Sequence, residues 1–153
     1  MRNSMKGFTL IELIVVIAII GVLAAILVPS MIGYVGDSKL STANSNAKLV
    51  YTNAATYSTK CEVKGYTVSD SGTTAYDLVS PDSSTLSYSG NEMQAALRQL
   101  MGGKAGAGVA KVKVENSNPK ASAWAKTPAD QYVGTYPSEA VAKTASGIGS
   151  VTL

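Results

Sequence analysis

Histidine is absent from this chain, which removes at once the commonest general base, the usual serine triad and most zinc sites. Cysteine occurs once, at Cys61. No internal disulfide can form, so any globular part must be held by packing, and the lone thiol reads as a small semi-buried side chain rather than a reactive or metal-binding group. Charge is scarce as well: 13 Lys and Arg face 10 Asp and Glu, and charged residues make up 15% of the chain. Arg2 and Lys6 both precede Phe8, so the sequence from Phe8 onward holds 11 cations against 10 anions. That near-neutrality argues against a strongly electrostatic partner such as duplex DNA, and no specific nucleic acid is expected.

What the chain has in quantity is apolar sequence, concentrated near its start. From Leu13 to Val28 no side chain is charged or polar. Extended back to Phe8, the run reaches about the 20 residues that a helix needs to span a bilayer core. Glu12 stands inside it. A carboxylate at the bilayer centre costs roughly 2.5 to 3.5 kcal/mol, so Glu12 either lies shallow enough to reach headgroup water or has a partner. Composition leaves open whether the segment is cut away after small residues such as Ala24 and Ala25 or is kept as an anchor. Arg2 and Lys6 ahead of it, with only Asp37 and Lys39 soon after it, place the N-terminus on the cytoplasmic side and the remainder outside.

The run Lys6-Gly7-Phe8-Thr9-Leu10-Ile11-Glu12-Leu13, followed by unbroken apolar sequence and Pro29, resembles the N-terminus of the type IV pilins and their relatives, the pseudopilins of type II secretion and the competence pilins. The resemblance covers about the first 35 residues and rests on basic charge, cleavage glycine, methylatable phenylalanine, buried glutamate and proline occurring in register. It implies a leader of residues 1–7, cut between Gly7 and Phe8 by a prepilin peptidase that also N-methylates Phe8. It further implies a membrane-held subunit that an assembly ATPase and platform machinery move into a helical homo-oligomeric filament, with Glu12 pairing to the Phe8 amine of a neighbour. The disulfide-closed C-terminal loop of many pilins is missing here, since Cys61 has no second cysteine.

The fold class expected is α+β: a long N-terminal helix whose first half lies in the membrane, packed on a small antiparallel sheet. Residues 8–29 form the transmembrane and assembly helix. Gly21 is a poor helix former and Pro29 removes the bond to Ala25, so a kink or local unwinding is expected there; the resemblance adds melting of this segment on filament assembly. Residues 30–58 continue as an amphipathic helix, with Leu40, Ala43, Ala47, Val50, Ala54 and Tyr57 on one face and Ser41, Asn44, Lys48 and Asn53 on the other. Together these halves reach about 75 Å.

Residues 59–153 form one globular head. Residues 59–90 read as loop with at most two short strands, anchored by Tyr66, Tyr76 and Tyr88. A short helix is expected over 91–101, capped by Asn91, with Met93, Ala96, Leu97, Leu100 and Met101 inward and Gly102-Gly103 as its stop. Alternation over 109–115 places Ala110, Val112 and Val114 on a dry face and Lys111, Lys113 and Glu115 on a wet one. Residues 116–120 turn the chain; strands follow at about 121–126 and 131–136. For 137–153 the weak pattern allows a last strand over 149–153 or a loose tail.

No catalytic residue, cofactor or metal site is expected. Asp70, Asp77, Asp82 and Glu92 lack the dense alternation of a calcium loop and read as a solvated surface, while Gly102, Gly103, Gly106 and Gly108 lack the strand and helix that a phosphate cradle requires. Two classes of function stay open on these residues: a filament subunit, as pilin or pseudopilin, and a monomeric binding module on an uncleaved membrane anchor. They part at Gly7 and Glu12, because a plain anchor needs neither. Motility, adhesion, DNA uptake and secretion are not distinguished.

Overall fold

A computed structural model describes residues 7–68, 76–78, 86–101 and 107–153. The chain is α+β, a long helix and a four-stranded antiparallel sheet, and divides into two compact units, Met1–Asp37 and Ser38–Leu153. Helix α1 (Leu10–Val63) begins in the first unit and ends in the second.

In the first unit α1 is helical without interruption through Gly21 and Pro29, and the Ser30 hydroxyl donates to the Leu27 carbonyl at 2.9 Å. Its large apolar side chains are exposed all round, from Leu10 at 75% to Ile26 at 70%, as is Phe8 just ahead of it at 87%. A helix apolar on every side is stable only when lipid or other protein covers it. Among the described residues α1 is the one helix long and apolar enough to cross a membrane.

In the second unit α1 buries Ala43, Asn44, Ala47, Val50, Ala54, Tyr57, Ser58 and Cys61, the i, i+3, i+4 stripe of a helix lying on a sheet. Leu40 is half-buried. The helix ends five residues beyond the expected 58. Gly65 takes φ 81°, and the Gly65 and Tyr66 amides donate to the Glu62 and Cys61 carbonyls at 2.9 and 3.0 Å, closing a Schellman stop.

The sheet order is β1 (Tyr76–Asp77), β2 (Val109–Glu115), β3 (Asn118–Ala125) and β4 (Gly134–Tyr136), all neighbours antiparallel. The turn between β2 and β3 is shorter than the expected 116–120. Asn116 and Ser117 alone make it, with φ 52° and 62°, the two positive values of the hairpin turn that matches strand twist. β3 therefore starts at Asn118 rather than 121. Lys113 pairs with Ala121 and Val114 with Pro119, which leaves Lys120 as a bulge. β4 is shorter than expected because Asp130 Oδ1 accepts the Tyr132 amide at 3.0 Å, a local turn that competes with strand pairing.

One sheet face carries Ala110, Val112, Val114 and Trp124 against α1 and against helix α2 (Met93–Leu100), which contributes Met93, Ala96 and Leu97. Three expectations around α2 are corrected. Glu92, not Asn91, holds the N-cap position without a side-chain cap, its amide donating to the Tyr57 hydroxyl at 2.9 Å and its carboxylate accepting the Ser87 amide at 2.9 Å. Leu100 is 40% exposed, and Tyr66 is half exposed rather than an anchor, whereas Tyr76 and Tyr88 do pack on the core. The expected glycine stop at Gly102-Gly103 lies outside the described residues. Burial beneath this region pushes the Tyr57 phenol up to about 12, against the opposing effect of the Glu92 amide.

The other sheet face, expected to be wet, is covered. Val109, Ala123, Ala125 and Val133 pack with Ile148 of a single 3-10 turn (Ile148–Ser150), flanked by Val151 and Leu153. The C-terminal segment is thus neither a strand over 149–153 nor a loose tail: its apolar residues cap the sheet. Lys111 lies beneath it, 6% exposed, its ammonium donating to the Gly149 and Val151 carbonyls at 3.1 and 3.2 Å. Lys113 stays partly exposed and pairs with Glu115 at 3.3 Å.

Asn44, placed by periodicity on the polar face of α1, is 8% exposed. Its Nδ2 donates to the Ala140 carbonyl at 2.9 Å, and its Oδ1 accepts the Thr135 and Ala140 amides at 3.0 and 3.1 Å. Close approach makes this clamp feasible: a Cβ on Gly134 would fall on the Ala43 carbonyl. Asn44→Ala should destabilise the second unit by about 2 to 4 kcal/mol, since two amides lose their acceptor, whereas Ser45→Ala on the exposed side should be close to neutral. Denaturation of the full chain in uncharged detergent measures the difference; equal effects from the two changes would remove the clamp.

Candidate assembly site at the N-terminus

Helix α1 begins where the sequence Thr9-Leu10-Ile11-Glu12 supplies both halves of a capping box. Thr9 is the N-cap. Its amide and hydroxyl both donate to Glu12 Oε2, at 2.9 and 2.5 Å, and its Oγ1 accepts the Glu12 amide at 3.4 Å. Two of the amides that any helix start leaves unpaired are thereby satisfied, and a carboxylate in the first turn also opposes the positive end of the helix dipole. Among the described residues Glu12 Oε1 accepts no hydrogen bond. The carboxylate is therefore half occupied by its own chain and half open.

Phe8, Ile11, Glu12, Val15 and Val16 line one shallow face of α1, the spacing of three and four that puts them side by side. Phe8 and Glu12, the two residues singled out for assembly, are thus brought to the same face. Gly7 immediately precedes Phe8 and is exposed, while the rest of the leader, residues 1–6, lies outside the described residues. Thr9 is the residue that sequence reasoning missed, although the signal was present: a threonine three positions before a glutamate, at the edge of an apolar run.

Other candidate positions fall elsewhere. Asp77 offers its backbone carbonyl to Arg98 Nε at 2.7 Å and to Gln94 at 3.1 Å, and Glu92 serves α2 as described; Asp70 and Asp82 lie outside the described residues. Among the described residues no three His, Cys, Asp or Glu side chains gather in a metal-binding group. Cys61 is fully buried in the main core. Gly108 accepts the Leu78 amide at 3.0 Å ahead of β2, and Gly102, Gly103 and Gly106 lie outside the described residues.

Residues 2–28 match the family model described as the prokaryotic N-terminal methylation motif. The type IV major pilin protein PilA of Myxococcus xanthus is 55% identical over 47 residues, 31% of this chain and 21% of that protein. At its N-terminus the chain is similar to the type IV pilins. Similarity to pilins runs past the motif: the type IV major alpha-pilin of Moraxella bovis is 39% identical over 85 residues, 56% of this chain and 52% of its own. The fimbrial protein of Pseudomonas aeruginosa is 36% identical over 91 residues, 58% of this chain and 56% of its own. The chain thus spans about a fifth of the first relative and just over half of the other two. No solved structure matches it.

Proposed function

We propose that this chain is a structural subunit of an extracellular type IV pilus, held in the cytoplasmic membrane with its N-terminus inside until assembly. The observation that carries this reading is a half-open carboxylate, Glu12, beside Phe8 on a helix whose apolar surface is uncovered. In a filament the apolar helices cover one another. Cleavage between Gly7 and Phe8 by a prepilin peptidase creates a new amine at Phe8, and N-methylation keeps it cationic. A neighbour's amine at the open oxygen of Glu12 then completes the carboxylate and sets axial register; a buried charge is costly until it is paired. An assembly ATPase and its platform supply the work of extraction.

The relatives named above are major pilins and fimbrial proteins, which supports a pilus subunit over a secretion pseudopilin. Gly21 and Pro29 are where α1 can open as subunits pack, since Pro29 already lacks one backbone bond. Lipid and further copies of this chain are the partners of the first unit.

Processing is tested by intact mass. Assembled material should have lost Met1 to Gly7 and gained one methyl group on Phe8. Filaments whose subunits still begin at Met1 would overturn the proposal.

A further inference from the structure

The second unit holds a pocket of about 360 Å³ in which cations outnumber anions. From α1 come Lys39 and Thr42; from the end of β3 come Trp124 and the following Lys126; from the turn before β4 come Asp130 and Tyr132. Tyr132 is the centre of the charge cluster. The Lys39 ammonium lies 5.3 Å from its ring centroid and the Lys143 ammonium 5.1 Å. Two like charges held on one ring are therefore no farther apart than on the order of 10 Å, about one Debye length at moderate salt. Among the described residues neither these two lysines nor Lys126 has an ion-pair partner. Asp130, the one carboxylate on the pocket wall, has an oxygen committed to the Tyr132 amide.

This concentration is not what the composition demands. Lys39 and Lys143 flank one tyrosine and Lys126 lines the pocket beside it, in a chain that is otherwise almost neutral from Phe8 onward. Cation–π contacts of this kind orient the ammoniums without neutralising them, so they are positioned but not paired. An anion bound beside the ring relieves their repulsion.

From these observations we infer that the pocket binds a phosphate monoester. Lys39 and Lys126 against Asp130 leave one positive charge on the pocket wall, and Lys143 on the Tyr132 ring brings a second close by. A phosphate monoester carries about −1.5 to −2 at neutral pH and matches them, whereas a carboxylate supplies only one negative charge. Lysine ammoniums bind phosphate as compact point charges and need no bidentate geometry. The volume, roughly a dozen water molecules' share, exceeds bare phosphate and leaves space for the organic part of the ester against the Trp124 and Tyr132 side chains. Two sources carry this chemistry: a soluble phosphate ester, or the headgroup of phosphatidic acid. The site lies wholly within Ser38–Leu153 and does not depend on filament assembly.

The test uses the full chain in uncharged detergent, with backbone amide shifts followed as glycerol 3-phosphate or inorganic phosphate is added at constant ionic strength. Saturable shifts centred on Thr42, Trp124 and Tyr132 are expected, weakened about tenfold by Lys39→Ala and by Lys126→Ala, since each removes a charged donor. Lys113→Ala, which removes an ammonium already paired with Glu115, should change nothing. A second arm places the chain in lipid nanodiscs. Shifts at the same residues with phosphatidic acid but not phosphatidylcholine, and none with the soluble ester, assign the lipid source; a response to the soluble ester assigns the other. No saturable shift with any phosphate probe, shifts matched by sodium chloride, or equal weakening by Lys113→Ala would overturn the inference.

Discussion

If the proposed function holds, cells carrying Glu12→Ala should keep their membrane pool of the protein and lose most or all of their surface filaments. Removing an ionisable group from a lipid-embedded helix makes insertion more favourable by up to a few kcal/mol, so the precursor still reaches the membrane. The helix start does lose its capping box, at a cost of about 0.5 to 2 kcal/mol, but a long apolar helix does not depend on its first turn to remain helical in lipid. Assembly depends on more. On the proposed pairing, loss of the carboxylate would leave the Phe8 amine of an adjoining subunit unpaired in an apolar filament core and remove the attraction that aligns an incoming subunit.

Glu12→Gln separates these two roles of one side chain. Glutamine at the third helical position can still accept the Thr9 amide and preserve the cap, yet it carries no charge for a neighbouring amine. If pairing is what matters, Glu12→Gln should be nearly as poor in filaments as Glu12→Ala. Counting filaments and membrane-fraction protein from the same cells decides between them: normal piliation by Glu12→Gln would reduce Glu12 to a cap, and a vanished membrane pool in either variant would move its role back to insertion or processing.

Three neighbouring positions on β2 should respond very differently to aspartate. Val112→Asp puts an unpaired carboxylate into the core between sheet and helices, where Val112 is fully buried, and should cost about 3 to 5 kcal/mol. Lys111→Asp should be of the same order. It replaces a buried ammonium that two carbonyls accept from with a carboxylate facing those same carbonyl oxygens, beneath the C-terminal segment. Lys113→Asp only exchanges an exposed ion pair with Glu115 for a like-charge contact, about 0.5 kcal/mol. Thermal melts of the full chain in uncharged detergent read this directly, since each kcal/mol moves the midpoint by about 4 to 8 °C in a domain near this size. Lys111→Asp matching Lys113→Asp would mean that the C-terminal segment does not cover the sheet in solution.

Much of this molecule could be read from local pattern. The apolar run, the register of Gly7, Phe8, Glu12 and Pro29, the stripe from Ala43 to Tyr57 and the alternation within Val109–Glu115 each depend on side chains a few residues apart, and the 3.6- and 2-residue periods turn that spacing into a face. The capping box of Thr9 and Glu12 is equally local and was legible as a threonine three positions before a glutamate. So the sequence by itself determined where the helix long and apolar enough to cross a membrane lies, how it begins, and that a helix stripe meets an antiparallel sheet. The tertiary structure alone decided which polar residues go inside. Asn44 is buried because donors and acceptors 91 and 96 residues away converge on it, and Lys111 because Ile148, Val151 and Leu153 fold over β2 while leaving Lys113 at the rim. Periodicity reports a side chain's direction, but burial depends on what distant chain arrives to cover it, and a polar group can go inside only where that chain brings the matching hydrogen-bond partners.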